Sequence, residues 1–209
     1  MAKHQQWPLL LAAVAIILLL SGVPASAKRQ PVRLHLYMHD IGGQTAVIVV
    51  HGPGPQHPSM PPGRHFGDTT MMDDLLTEGP SRESKVVGRA QGTYMLADLR
   101  DAVLVVTITV LLTDGPYNGS TIVISGHDDI SAETRELAVV GGTGQLRRAS
   151  GYVLWRTARV MSPVYLVLEL DVHASVPVAA PTHWPSPHLR HPNIAPHAVG
   201  NEVNIVDYD

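Results

Sequence analysis

Between residues 32 and 173 the sequence repeats one pattern, in which a short run of apolar and β-branched residues is followed by a turn rich in glycine, proline or aspartate. About nine such extended segments occur, and no stretch has the 3.6-residue periodicity that is typical of an amphipathic helix. The predicted strands cover residues 32–38, 45–50, 66–73, 85–96, 102–112, 121–125, 136–140, 151–160 and 164–173. Many short strands at regular spacing predict an all-β sandwich or barrel, and periodicity leaves both open.

The two ends of the chain differ from this central part. Residues 9–20 are an unbroken apolar run that follows Lys3 and precedes Ala25-Ser26-Ala27, which is the pattern of a secretory signal peptide over residues 1–27. A signal anchor is the alternative. Residues 176–209 are rich in proline and histidine and predict a disordered tail after a domain at 28–175. The tail histidines could bind a transition metal, but their spacing fits no fixed ligand geometry.

Composition restricts the partners of this chain. It has no cysteine, so a secreted form would be stabilised by its core, and by oligomerisation, rather than by disulfides. A formal net charge of −3 without a basic block argues against nucleic acid as a partner. Asn118-Gly119-Ser120 is an N-glycosylation acceptor sequence next to the turn formers at 113–116 and predicts an exposed, glycosylated loop.

Three glycines lie within residues 141–144, directly after the β-branched run that ends at Val140. Gly-Gly-x-Gly could be a phosphate-binding loop if a helix followed it, because a helix N-terminus offers free N–H groups. Another strand-like run begins only a few residues later, and no Gly-Lys-Ser/Thr is present. The glycines therefore predict a tight connection between two strands.

Six blocks, taken together and in order, resemble the plant dirigent family. They are Tyr37-Met38-His39-Asp40-Ile41, Phe66-Gly67, residues 73–80 (DDLLTEGP), residues 88–94 (GRAQGTY), residues 113–121 (TDGPYNGST) and the stretch from Arg135 to Tyr152. The likeness covers about residues 33 to 173. The chain departs from the family pattern in its few aromatic residues, since Phe66 is the only phenylalanine.

This resemblance implies an eight-stranded antiparallel β-barrel of the dirigent and allene oxide cyclase type. Members of the family are secreted to the apoplast and form homo-oligomers, here expected to be a dimer or a trimer. They direct the coupling of two phenoxy radicals, typically from coniferyl alcohol, toward one lignan enantiomer. A separate laccase or peroxidase makes the radicals, so the resemblance implies no oxidative activity, no metal and no cofactor, and no membrane association after signal cleavage.

The family's pocket positions map onto a few polar residues of this chain. Asp128, Arg135 and Asp40 are the expected catalytic residues, and Tyr94 is expected to bind substrate. Asp129 is also expected to bind substrate, because a shift of one residue in the alignment with the family pattern would exchange it with Asp128. A carboxylic acid in an apolar barrel keeps its proton near neutral pH and can protonate a quinone methide oxygen. Radical coupling itself needs only the positioning of two bound partners.

Each of these residues also has a structural interpretation. Asp40 could cap the turn before Gly42-Gly43, Tyr94 could be a core residue, and Asp128 with Arg135 could form an exposed salt bridge. His39 is expected to be structural, Arg89 to pair with an acid in the sheet, and Asp73-Asp74 to end a strand.

Two further functions remain open for the same barrel. The protein could be an enzyme that cyclises or dehydrates a substrate through a quinone methide, with Asp128 as the acid. It could instead be a non-catalytic protein of the cell wall that binds small apolar ligands in defence.

Overall fold

A computed structural model describes residues 28–178, and these residues form nine antiparallel strands. The strands are β1 (Arg29–Ile41), β2 (Ala46–Val50), β3 (Thr69–Thr77), β4 (Val86–Leu96), β5 (Val103–Leu112), β6 (Thr121–Asp129), β7 (Arg135–Gly142), β8 (Ser150–Ser162) and β9 (Tyr165–Pro177). The predicted signal peptide and all but the first residues of the predicted tail lie outside the described residues. Within residues 28–178 no helix is long and apolar enough to cross a membrane.

The sheet closes into a barrel of eight strands. Each strand from β3 to β9 pairs with its neighbour in sequence, and β1 pairs with β9 along its whole length. The ring closes where the end of β1 also pairs with β3, at positions such as His39 and Leu75. The short strand β2 adds to the first half of β3 outside this ring. The closed ring removes the exposed edges of a flat sheet and confirms the barrel over the sandwich.

Inward-pointing side chains fill one end of the barrel and leave the other end open. On β5, Ile108 and Val110 are buried whereas Val105 is exposed, as expected for successive residues that point to opposite faces. Large buried side chains from the five strands β5 to β9 pack the closed end: Ile108, Ile122, Ile124, Leu137, Val153 and Leu170. At the opposite end the interior residues surround a cavity.

The predicted end of the third strand was wrong. Asp73 and Asp74 lie in the middle of β3, which continues through Leu75 to Thr77. Aspartate is disfavoured in strands, so the two acids suggest a strand end. The strand continues because Leu75 to Thr77 pair with both β1 and β4.

The glycine stretch connects two strands, as predicted. β7 ends at Gly142, a single 3₁₀ turn covers Gly144–Leu146, and β8 begins at Ser150. Gly144 has φ +60° and lies against the side chain of Ser120, whose Oγ a Cβ at this position would meet at 2.7 Å. Glycine is therefore required at this position by both backbone conformation and space.

Candidate functional site

The open end of the barrel contains a cavity of about 800 Å³. Side chains from every strand of the ring line it, together with the segment from Met60 to Arg64 and the turn at Pro163 and Val164. A volume of this size is typical of sites for small organic ligands. An eight-stranded barrel is wide enough to hold small ligands at such an open end.

Asp128 and Arg135 form a buried ion pair on one wall of the cavity. Arg135 Nε lies 3.1 Å from Asp128 Oδ1, and both side chains are at most 6% exposed. The Arg135 guanidinium also contacts Thr157 Oγ1 at 3.4 Å. Burial raises the pKa of the Asp128 carboxyl, and the charge of Arg135 opposes that rise. The pair is therefore a feature of the cavity wall and not an exposed salt bridge.

The structure separates Asp128 from its neighbour Asp129. Asp129 does not line the cavity, and its carboxylate accepts hydrogen bonds from Ser131 N (3.0 Å) and Ser131 Oγ (2.6 Å). These hydrogen bonds lower the pKa of Asp129. Successive residues of a strand point to opposite faces, so only one of the two acids can enter the barrel. The expectation that Asp129 binds substrate does not fit this position.

Asp40 and Tyr94 line the same cavity from β1 and β4. Burial raises the pKa of Asp40 above its ordinary value, and burial followed by the charge of Asp40 raises the pKa of Tyr94 to about 12. Both groups therefore hold their protons more firmly than they would in water. Tyr94 also packs against the hydrophobic core, so it contacts both the cavity and the core.

The order of strands places these groups on opposite walls. In a ring of eight strands, β6 is four positions from β1, β7 is four from β3, and β8 is four from β4. Asp128 thus faces Asp40 across the barrel. We call Asp128, Arg135 and Trp155 the ion-pair wall, and Asp40 and Tyr94 the acidic wall. The strands between the walls, β5 and β9, contribute only apolar side chains to the lining: Leu104, Val106, Leu166 and Leu168.

Asp74 is a buried acid beside this site that the sequence interpretation placed in a turn. It lies on the inner face of β3 between Met72 and Leu76 and is 0% exposed. Burial, and then the charges of Asp40 and Asp73, raise the pKa of Asp74 to about 8. The register Met38↔Leu76, continued along both strands, places Asp40 opposite Asp74. Alternation with Met72 and Leu76 is the signal that could have found it.

The sequence interpretation also did not identify Trp155 as a residue of the cavity. It is 3% exposed, lines the cavity, and supplies an aromatic wall in a chain with few aromatic residues. It lies on β8 directly opposite Arg135 on β7.

The proline-rich segment at 51–65 is folded over the cavity and not a loose loop. The buried carboxylate of Asp68 accepts hydrogen bonds from Gly52 N (2.9 Å) and His65 N (3.0 Å) and lies 3.3 Å from Arg64 Nε. The buried His57 ring contacts the Asp98 carbonyl oxygen at 3.0 Å. These contacts hold Met60, Pro61, Pro62 and Arg64 in the cavity lining.

Two other predicted residues have structural positions. His39 is 1% exposed and bridges three strands, with ring nitrogens 2.8 Å from Tyr165 Oη and from Thr77 Oγ1. Burial lowers the pKa of His39, which favours the neutral ring. Arg89 pairs with Asp73 on the outer face, at 2.5 Å. Among residues 28–178, no three His, Asp or Glu side chains are arranged to hold a metal ion.

Comparison with known proteins gives one consistent match. The model of the dirigent-like protein family matches residues 32–175. Dirigent protein 1 of Arabidopsis thaliana is 42% identical over 131 residues, which are 61% of this chain and 70% of that protein. Pterocarpan synthase 1 of Glycine max is 40% identical over 129 residues, which are 60% of this chain and 67% of that protein.

Solved structures of similar proteins show the same barrel. Two pterocarpan synthase dirigent proteins superpose with TM-scores of 0.62 and 0.64, at 36% and 35% sequence identity. The matches cover 69% and 73% of this chain and 94% of each of those chains.

Proposed function

Because the chain belongs to the dirigent family, we propose that it directs the stereochemistry of coupling between two phenoxy radicals, such as those of coniferyl alcohol, in lignan formation. The observation that carries this proposal is the cavity at the open end of the barrel, with polar groups on opposite walls and apolar strands between them. Each wall can hold the oxygen of one phenol by hydrogen bonding. The apolar strands would then press the two rings into one relative orientation.

The protein needs to supply little chemistry for the coupling step itself. Two radicals combine to form one carbon–carbon bond, so no oxidant acts in the barrel and a separate laccase or peroxidase supplies the radicals. Positioning of the two partners decides the product, because the uncatalysed coupling has almost no barrier and no facial preference. Control of the encounter geometry is sufficient for stereoselectivity.

Coupling gives quinone methides, and the acids of the cavity can assist their closure. A hydroxyl group attacks the methide carbon, the methide oxygen takes up a proton, and the attacking hydroxyl loses one. Asp128 can supply the proton on its wall, where Arg135 stabilises the oxygen as negative charge develops. Asp40 faces it across the barrel and can accept the proton of the attacking hydroxyl. The two transfers balance, so each carboxyl returns to its starting state by exchange with water.

The test is stereochemical. The mature protein is mixed with coniferyl alcohol and a one-electron oxidant, and the coupled products are separated by chiral chromatography. We expect an excess of one enantiomer, and a racemic product would contradict the proposal. Val106→Phe fills the cavity from β5 and should restore the racemate, whereas Val105→Phe, on the outer face of the same strand, should not.

A second candidate function is cyclisation of a single substrate through a quinone methide. It is favoured by the likeness to pterocarpan synthases and by the acids on facing walls. It predicts turnover of an isolated substrate without oxidant, and loss of that turnover in Asp128→Asn. If ligands bind but no product changes in either assay, the barrel is a binding protein and both proposals fail.

The cellular setting is part of the same proposal. Secretion to the apoplast rests on the apolar run at 9–20 and Ala25-Ser26-Ala27. N-terminal sequencing of protein from the culture medium should begin at Lys28. Asn118 is exposed in the connection between β5 and β6, so an N-glycan would be accommodated there. A mass shift on enzymatic deglycosylation, absent in Asn118→Gln, is the expected result.

A further inference from the structure

The ion-pair wall contains three buried polar atoms without a hydrogen-bond partner among residues 28–178. They are Trp155 Nε1, Asp128 Oδ1 and Arg135 Nε, and the last two face each other at 3.1 Å without the alignment of a hydrogen bond. Buried polar groups in folded proteins are nearly always satisfied, and an exception marks a place where a ligand or water completes the set. Three unsatisfied atoms on neighbouring strands therefore indicate a polar subsite.

Trp155 contributes a donor to this subsite that is independent of the ion pair. Its side chain is 3% exposed, and the indole N–H can only donate. Arg135 and Trp155 are directly opposite each other on antiparallel strands. Such residues point to the same face with Cβ atoms about 5 Å apart. The indole therefore lies beside the ion pair, on the inner face of the barrel.

The donor and acceptor set defines the ligand chemistry. Trp155 Nε1 and Arg135 Nε offer two N–H groups, and Asp128 Oδ1 offers an acceptor. A hydroxyl group matches this set, because its oxygen accepts a hydrogen bond and its hydrogen is donated. A phenol also brings an aromatic ring, for which the indole face and the Leu166 and Leu168 side chains provide an apolar surface.

We propose that Trp155 is a specificity-determining residue of the cavity, whose indole N–H donates a hydrogen bond to the ring oxygen of a bound phenol beside Asp128 and Arg135. This inference rests on the proposed function in taking the ligand to be a phenol. It adds ligand selectivity to that function. A molecule of the same shape without the ring oxygen would leave the indole N–H buried and unpaired, so the cavity should prefer phenols. Selection against a missing hydroxyl is strong when the site's polar groups lose their partners.

Binding of closed-shell ligands tests the inference without radicals or oxidant. Coniferyl alcohol is compared by titration calorimetry with 3-methoxycinnamyl alcohol, which is the same molecule without the ring hydroxyl. Trp155→Phe keeps an aromatic ring and removes the donor. We expect this variant to bind coniferyl alcohol about five- to tenfold more weakly, which is the effect of one hydrogen bond. Its affinity for the deoxy ligand should be almost unchanged. Equal weakening of both ligands would mean that Trp155 acts only through its shape, and would overturn the inference.

A second measurement uses the unsubstituted protein and does not depend on the variant's folding. With ¹⁵N-labelled tryptophan, the Trp155 indole resonance should move downfield on addition of coniferyl alcohol and stay in place with the deoxy ligand. Trp184→Phe leaves Trp155 as the only tryptophan after residue 27 and identifies its resonance. An indole resonance that does not respond to a bound phenol overturns the inference and leaves the proposed function standing. If coniferyl alcohol does not bind at all, the proposed function fails with it.

Discussion

Adjacent aspartates of this chain lie on opposite faces of the barrel. Asp128 and Asp74 are at most 4% exposed, whereas their neighbours Asp129 and Asp73 point outward and have exposed partners. Each pair of adjacent aspartates thus contains one buried acid on the inner face and one acid at the surface. This arrangement provides a matched control variant for each buried acid, one residue away on the same strand.

The Asp128–Arg135 pair leads to the first prediction. Asp128→Asn replaces the carboxyl partner of a buried guanidinium with an amide that cannot form the ion pair, which should lower the free energy of unfolding by about 3 kcal/mol. The amide also cannot transfer a proton to the quinone methide oxygen, so stereoselectivity or turnover should be lost. Asp129→Asn keeps the acceptor for Ser131 and should change the free energy of unfolding by less than about 0.5 kcal/mol. Urea unfolding and the chiral assay measure both variants, and equal effects of the two would contradict the assignment.

Asp74 leads to a prediction about pH. Its pKa of about 8 in the folded protein lies far above the ordinary value, so the folded state binds more protons than the unfolded state between roughly pH 4 and 8. The free energy of unfolding should therefore fall as pH rises through this window, by up to about 1.4 kcal/mol per unit, and level off above it. The charged groups around Asp74 are Asp40 on β1, Asp73 on β3 and Arg89 on β4.

Asp74→Asn mimics the protonated side chain and should remove this part of the pH dependence. Asp73→Asn, on the outer face, should retain it. Asp40 and Asp128 also have raised pKa values, so the informative quantity is the difference between Asp74→Asn and the unsubstituted protein at each pH. A difference that stays constant from pH 5 to pH 8 would show that Asp74 ionises normally.

At the scale of strands and loops, the sequence predicted most elements because alternation and turn residues are local signals. β2, β4, β5 and β7 begin and end within two residues of their predicted bounds. β3 and β6 were misjudged at their C-terminal ends, where aspartates stand in the sheet at Asp74 and Asp128. Asp128 is tolerated there because it faces the cavity beside Arg135, and Asp74 lies buried near Asp40, surroundings that exist only in the closed barrel. The resemblance supplied Asp40, Tyr94, Asp128 and Arg135, whereas the role of Trp155 in the lining required the assembled barrel.

The segment at 51–65 leads to a prediction at this scale. Asp68→Ala leaves the N–H groups of Gly52 and His65 and the guanidinium of Arg64 without their buried acceptor. The free energy of unfolding should fall by about 3 kcal/mol, and the segment should detach from the cavity. Limited trypsin digestion should then cut after Arg64, which the folded protein resists. Asp101→Ala removes an exposed carboxylate in the turn between β4 and β5 and should change neither result.

At the scale of the molecule, an apolar strip on the outside of the barrel is left exposed by closure of the ring. The outward side chains of Val47, Met71, Met95 and Val105 are 37–47% exposed on neighbouring strands β2 to β5. The register places Val47 beside Met71 and Met95 beside Val105. An exposed apolar patch of this kind marks an interaction surface. In a chain without disulfides, burial of this strip against a second copy would also add stability.

If the chain forms the homo-oligomer that the family resemblance predicts, we expect the contact to form through this strip. Met71→Lys combined with Met95→Lys should convert the dimer or trimer to monomers, because two buried ammonium groups at an apolar contact cost more than the contact gains. Sedimentation velocity over a range of protein concentrations measures the change. Val140→Lys introduces the same charge at an exposed apolar residue on β7 and should leave the assembly intact. The strip is not the contact surface if the unsubstituted protein is monomeric throughout, or if Val140→Lys dissociates it equally.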